Sequence, residues 1–176
     1  MPKAKVKSPE KAIVAGSFDP VTNGHLYLVK RAAAKYEEVR VVIFVNGEKT
    51  YTFSEEQRLE MLRAACARFE NVTVDSDGGM QYLYAKKHGI TVSVRGYRNA
   101  ADLAYEKKWA VFNAEALPGY RTELLRCPRM LRGVSSTEVR RLLAEGGDVS
   151  PLVPPEILPL LARFYKRKKT PENGQK

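Results

Sequence analysis

Residues 12–35 read AIVAGSFDPVTNGHLYLVKRAAAK, and the change of rhythm within them decides the fold. Residues 12–15 form a short apolar run, the pattern of a buried strand, and Gly16 stops it. Beyond Thr22 and Asn23, either of which suits a helix N-cap, Leu26, Val29 and Ala33 recur at helical spacing toward Lys35. The loop between carries Gly16, the Ser17 hydroxyl, a turn stiffened by Pro20, Gly24, and His25 close to the helix start. Glycine lets backbone N–H groups approach an anion, and a helix N-terminus favours negative charge, so the segment reads as a phosphate cradle. It is neither a Walker loop nor a GxGxxG fingerprint, which removes the main support for kinase and dinucleotide-binding readings.

The same alternation continues outward. Residues 39–45, VRVVIFV, are a β-branched run and a strong strand signal. Ser54 with Glu55 and Glu56 opens a helix toward Arg68, with Leu59, Leu62 and Cys66 turned inward. Strands are predicted at 72–74, 90–94 and 123–127, and helices at 80–87 (ended by Gly89) and 100–117. Ser135 and Glu138 form a capping box for a helix with Val139, Leu142 and Leu143 inside, closed by Gly146-Gly147; a last helix covers 155–166. Five strand–helix alternations predict an α/β domain: a doubly wound, five-stranded parallel sheet with helices on both faces. Ligands of such sheets lie beyond the carboxyl ends of the strands, and every candidate functional segment here follows a strand. The reading is of one domain, residues 12–166, between basic tails at 1–11 and 167–176.

The 176-residue length suits one such core, and 44% hydrophobic with 28% charged residues is an ordinary globular balance. No apolar run approaches the ~18 residues needed to span a bilayer, and the basic N-terminus lacks a signal peptide's apolar stretch. Cys66 and Cys127 are too few and too isolated for a disulfide framework or a zinc site. These features favour a cytoplasmic protein with no membrane partner. The net charge of +10 sits at the ends: residues 1–11 carry +3 and residues 163–176 carry +5, leaving +2 for residues 12–162. A nucleic-acid binder spreads its basic face over the folded domain, so solvated tails, and no nucleic-acid partner, are the simpler expectation.

The string GSFDPVTNGH (residues 16–25) closely resembles the signature loop of the nucleotidyltransferase superfamily that carries an H/TxGH motif. Branches acting on nicotinate or nicotinamide mononucleotide, and the cytidylyltransferases, usually have His where this chain has Thr22; threonine resembles the phosphopantetheine adenylyltransferases. The resemblance extends over residues 12–161. Lys49 followed by Thr52-Phe53-Ser54-Glu55-Glu56-Gln57-Arg58 is similar to that family's lysine and F-(S/T)-x-E-E-R. Arg95-Gly96-Tyr97-Arg98, with Asp102, Tyr105 and Glu106, looks like its RGxR-x3-D-x2-YE string, and Val134 through Thr137 corresponds to its ISSS. The chain departs from the pattern at Tyr27, at Leu131-Arg132-Gly133, and at Gln81, which with Met80 occupies the place of an apolar pair.

The resemblance implies a Rossmann-like nucleotidyltransferase fold and adenylyl transfer from ATP to 4′-phosphopantetheine in coenzyme A biosynthesis. It implies that His25, Lys49 and Arg98 are catalytic. ATP falls to Ser17, Phe18, His25, Gly96, Arg98, Glu106, Val134, Ser135, Ser136 and Thr137, with Glu106 near the adenosine. The acceptor falls to Ser17, Lys49, Gln81 and Arg95. Two arginines flanking a glycine form a fork that neutralises phosphates from two sides; as a plainer alternative, Glu106 forms a surface ion pair with a basic neighbour. Mg2+ is the implied cofactor, held mainly through phosphates and not by a protein site. A homo-oligomer, a hexamer by resemblance, is implied as well. The nearest alternative acceptor is nicotinate mononucleotide, and the alternative of another class is a non-catalytic nucleotide- or RNA-binding module.

Overall fold

Five strands appear in the computed structural model, which describes residues 7–45 and 47–169: β1 (Ser8–Gly16), β2 (Tyr36–Phe44), β3 (Val72–Asp77), β4 (Val92–Tyr97) and β5 (Arg121–Arg126). The helices among the described residues are α1 (Asn23–Lys35), α2 (Glu55–Cys66), α3 (Gln81–His88), α4 (Ala100–Ala116), α5 (Ser136–Glu145) and α6 (Leu158–Lys169). The strands pair in parallel in the order β3-β2-β1-β4-β5. The chain winds outward from β1 to β3 and then returns to the other side, which makes the β1–β4 boundary the switch point. The expected α/β architecture is therefore present.

Side-chain alternation divides the core. Ala12, Val14, Val41 and Ile43 face α1, α2, α5 and α6, meeting Val29, Met61, Leu62, Val139 and Leu161. Ile13 and Val42 face the opposite side, against Tyr84 and Ala85 of α3, with Tyr120. Each fully buried Val, Leu, Ile or Met side chain among these contributes roughly 1.5–3 kcal/mol. α4 packs beside α3 and over β4 and β5. The left-handed Gly89 (φ 64°) ends α3 as its position predicts. Among the described residues no helix is long and apolar enough to cross a membrane.

Several boundaries differ from the sequence reading. β1 begins at Ser8, inside the stretch expected to be a tail, because its main chain already pairs with β2 there, Ser8 opposite Tyr36 and Lys11 opposite Glu38, where apolar alternation gives no signal. Lys11 pairs with Glu38 of β2 at 2.9 Å, and Glu10 with Arg121 of β5 at 2.7 Å. β3 runs on through Asp75, Ser76 and Asp77 because main-chain pairing with Val42, Ile43 and Phe44 continues beyond its apolar residues. At the other end α6 continues to Lys169. The remaining tail assignments, 1–6 and 170–176, lie outside the described residues.

Candidate active site

The loop after β1 is held by its own helix cap. Thr22 is extended and fully buried; its Oγ1 accepts from the His25 N–H at 3.4 Å, while the Thr22 N–H donates to His25 Nδ1 at 3.1 Å. The histidine thus fills the place that Glu or Gln takes in a capping box. Because Nδ1 accepts from a backbone donor, the proton of the neutral ring belongs on Nε2, which becomes a donor. Burial, and then the charges of Arg95 and Arg98, hold this imidazole down at about 4. The Phe18 ring packs edge-on against His25 at 4.9 Å. Phe18 itself has a φ of 47°, a sparsely populated region for a non-glycine residue. A Cβ on Gly16 would lie 3.2 Å from that ring, which is why glycine ends the strand.

Three neighbours clamp the loop. The Asp19 carboxylate accepts from the N–H groups of Thr52 and Phe53 at 2.8 and 2.9 Å, tying it to the segment that carries Lys49. Arg140 of α5 donates to Asp19 O at 2.7 Å. Arg58 of α2, only 2% exposed, donates to Ser17 O at 2.8 Å and stacks 4.0 Å above Tyr51.

Two clefts open at the carboxyl ends of the strands. The first, about 550 Å3, is bordered by His25, Gly96, Arg98, Val134, Ser135 and Ser136, with Tyr27, Leu28 and Cys127. The N-termini of α1 and α5 converge on it. Ser135 Oγ caps α5 by accepting from Glu138 N at 3.1 Å, and Ser136 Oγ donates to Pro20 O at 2.8 Å. The first-turn N–H groups of Ser136 and Thr137 have no intrahelical acceptor and suit an anion. Arg98 pairs with Asp102 at 2.9 Å, but its side chain is 44% exposed, so a phosphate competes readily for it. A Cβ on Gly96 would meet Leu28 methyl groups at 3.1 Å, so a larger residue there would have to push that side chain aside.

The second cleft, about 610 Å3, is bordered by Ser17, Lys49, Gln81, Trp109 and Asn113. Ala15, Gly16, Arg95, Tyr105 and Glu106 border both. In that common wall Arg95 meets Glu106 bidentately, Nε to Oε2 at 2.8 Å and Nη2 to Oε1 at 2.9 Å, and its Nη1 reaches Ala15 O at 2.7 Å. A guanidinium has five N–H groups, so this fastening leaves others for an anion in either cleft.

Most residues picked from sequence therefore border a cleft, with four differences. His25 and Arg98 are in the first cleft and Lys49 in the second, so the three catalytic candidates do not share one chamber. Phe18 borders neither: its ring is buried in the core. Thr137 also borders neither; it is exposed, and its Oγ1 accepts from Arg140 at 3.2 Å. Glu106 is the partner of Arg95, and at 8% exposure it is a buried wall residue, not half of a surface pair. The sequence reading gave Tyr105 a place in the motif but no role and missed Trp109 and Asn113, although their i, i+4, i+8 spacing on α4 was a usable signal.

Residues 13–142 match the cytidylyltransferase-like family. Phosphopantetheine adenylyltransferase of Shouchella clausii is 39% identical over 158 residues, covering 90% of this chain and 99% of its own length. The proteins of that name from Thermobifida fusca and Nocardioides sp. are 40% and 42% identical, covering 88% and 84% of this chain and 94% and 92% of their own. The chain belongs to the phosphopantetheine adenylyltransferase family. Among solved structures, a putative nicotinate-nucleotide adenylyltransferase from Vibrio parahaemolyticus superposes with TM-score 0.66 at 20% identity, covering 90% of this chain and 96% of its own. The Plasmodium falciparum nicotinic acid mononucleotide adenylyltransferase bound to NaAD gives 0.63 at 17%, covering 90% and 98%. Identity at that level shows a common fold alone. In this chain the TxGH cap and the arginine fork, Arg95 on β4 and Arg98 just beyond it, stand on either side of the switch point.

Proposed function

We propose that the chain transfers the adenylyl group of ATP to the 4′-phosphate of phosphopantetheine, giving dephospho-coenzyme A and pyrophosphate. The observation that carries this reading is the common wall: two clefts, both suited to anions, meet at Arg95. The triphosphate takes the cleft where two helix N-termini converge, and the acceptor phosphate takes the cleft with Ser17 and Lys49. An acceptor oxygen attacks the α-phosphorus, the bond to the β-phosphate oxygen breaks, and pyrophosphate leaves with that electron pair. No protein nucleophile is required; catalysis rests on positioning and on donors aimed at developing charge. His25 supplies a neutral Nε2–H, Arg98 and Lys49 supply cationic donors from opposite clefts, and Arg95 aligns the two phosphates. Gly96, Val134, Ser135 and Ser136 shape the nucleotide side.

Mg2+ belongs to the same proposal. Among the described residues no three His, Cys, Asp or Glu side chains converge as a metal site. The donors around the clefts suit phosphate, so the ion would be held through phosphate oxygens, whose charge it neutralises. A cytoplasmic homo-oligomer, hexameric, without a nucleic-acid partner completes the reading. Leu83 of α3 and Val111 and Phe112 of α4 are large apolar side chains left 42–57% exposed, which supports self-association, and light scattering tests it.

The deciding experiment measures pyrophosphate release with phosphopantetheine and with nicotinate mononucleotide in parallel. Faster release with phosphopantetheine is expected; preference for nicotinate mononucleotide refutes the acceptor. His25→Ala removes one preorganised donor, worth about 3 kcal/mol, so kcat falls at least about a hundredfold. Near-normal turnover in a folded His25→Ala protein, checked by circular dichroism, refutes the role of His25.

A further inference from the structure

Gln81 is the first residue of α3 and borders the acceptor cleft. Its Nε2 carries two N–H groups, and both are committed: to Ser93 Oγ of β4 at 2.9 Å and to the Tyr120 hydroxyl at 2.7 Å. Both anchors are buried, at 1% and 3% exposure. A planar carboxamide with one end held by two buried hydroxyls has a fixed plane, and with its nitrogen on those hydroxyls its oxygen is the end left for the cleft. Its Oε1 receives no bond from the described residues, yet it is not among the buried polar atoms that lack a partner. The solvent it reaches is the cleft.

The wall of this cleft is mixed: Phe44, Val45, Met80 and Trp109 are apolar, while Ser93, Asn113 and Thr122 are polar. An apolar side chain at position 81 packs against an aliphatic arm anywhere along its length. A fixed acceptor selects an N–H at one place. Resting on the proposed adenylyl transfer to phosphopantetheine, we infer that Gln81 is a specificity-determining residue: its Oε1 accepts an amide N–H from the acceptor's arm, with Ser93 and Tyr120 holding it in position. Ser17, Lys49 and Arg95 take the phosphate, and Gln81 measures the distance from that phosphate to the amide.

The test pairs protein variants with altered acceptors in pyrophosphate-release assays. Gln81→Met removes the acceptor atom and keeps the bulk. KM for phosphopantetheine then rises about tenfold, the size of one hydrogen bond, while kcat and the KM for ATP stay within about twofold. Gln81→Glu keeps an accepting oxygen, because the Ser93 and Tyr120 hydroxyls can turn to donate to the carboxylate, and KM stays within about threefold. A merely structural role would injure the charged variant at least as much as the methionine. The remaining arm uses phosphopantetheine analogues in which each amide N–H in turn is replaced by an ester oxygen. One analogue should bind the wild-type protein about tenfold more weakly and show no such penalty with Gln81→Met. Equal handling of amide and ester by the wild-type protein, or a penalty that persists in Gln81→Met, overturns the inference while adenylyl transfer stands. Absence of pyrophosphate release from wild-type protein with phosphopantetheine overturns the functional reading, and this inference with it.

Discussion

The cap that joins Thr22 to His25 makes an acid-sensitive prediction. In the unfolded chain the imidazole takes a proton near the ordinary value of 6.5; in the folded protein, burial and the two nearby arginines lower this to about 4. Above pH 6.5 both states are neutral and the group leaves stability unchanged. As pH falls, the unfolded chain binds the proton first, so stability is lost between pH 6.5 and about 4 and no further below that. At 1.36 kcal/mol per unit, and discounting for the water that reaches the cleft, the loss is on the order of 2–3 kcal/mol. His25→Gln is the matched control, because glutamine at this position preserves a capping box and does not titrate. Urea unfolding of both proteins between pH 7 and 4 should give curves that diverge by that amount, with the effects of the carboxylates cancelling in the difference. In NMR the chain has only His25 and His88 to assign. The His25 ring signal should titrate near 4 and move upward when ATP is added, because an anion in the cleft favours the imidazolium. Parallel stability curves, or a His25 midpoint near 6.5, would refute the reasoning.

Glu106→Gln removes the charge opposite Arg95 in a partly buried pair, a loss of about 2–3 kcal/mol and a melting temperature lower by about 4–10 °C. With the fork unfastened, kcat/KM for the acceptor should drop at least about tenfold; an unchanged melt with unchanged kinetics contradicts the role given to this pair. Asp19→Ala frees the Thr52 and Phe53 N–H groups, destabilising by about 2–4 kcal/mol and raising the acceptor KM through the loosened Lys49 segment. Hydrogen exchange at those two amides checks it: protection like that of the wild-type protein would show that the carboxylate is not their anchor.

Local pattern made much of this structure legible. The run at 39–45 and the helical spacing after Thr22 report burial directly, and the cradle, the fork and the serine loop each follow a strand, where an α/β sheet binds ligands. Pairings made across the fold were not legible. The first half of β1 pairs through its main chain with β2 and carries charged side chains that meet partners on two other strands, which hydropathy reads as a solvated tail. Arg95 and Glu106 were both singled out, but their contact depends on how α4 returns over β4. Gln81 looked like a polar intrusion into an apolar subsite until Tyr120, 39 residues away, accounted for its nitrogen. Lys49 and His25 stand in separate chambers because β1 ends between the two clefts.

That partition has a thermodynamic consequence. A cation bordering two chambers is a single resource, so a guest drawing on Arg95 from one side alters the field met by a guest on the other. The interaction free energy is the same whichever molecule arrives first, and each ligand shifts its companion's affinity by one common factor. Synergy or antagonism between the two occupants therefore requires no backbone rearrangement, and its sign depends on how the remaining N–H groups of one guanidinium are divided between them.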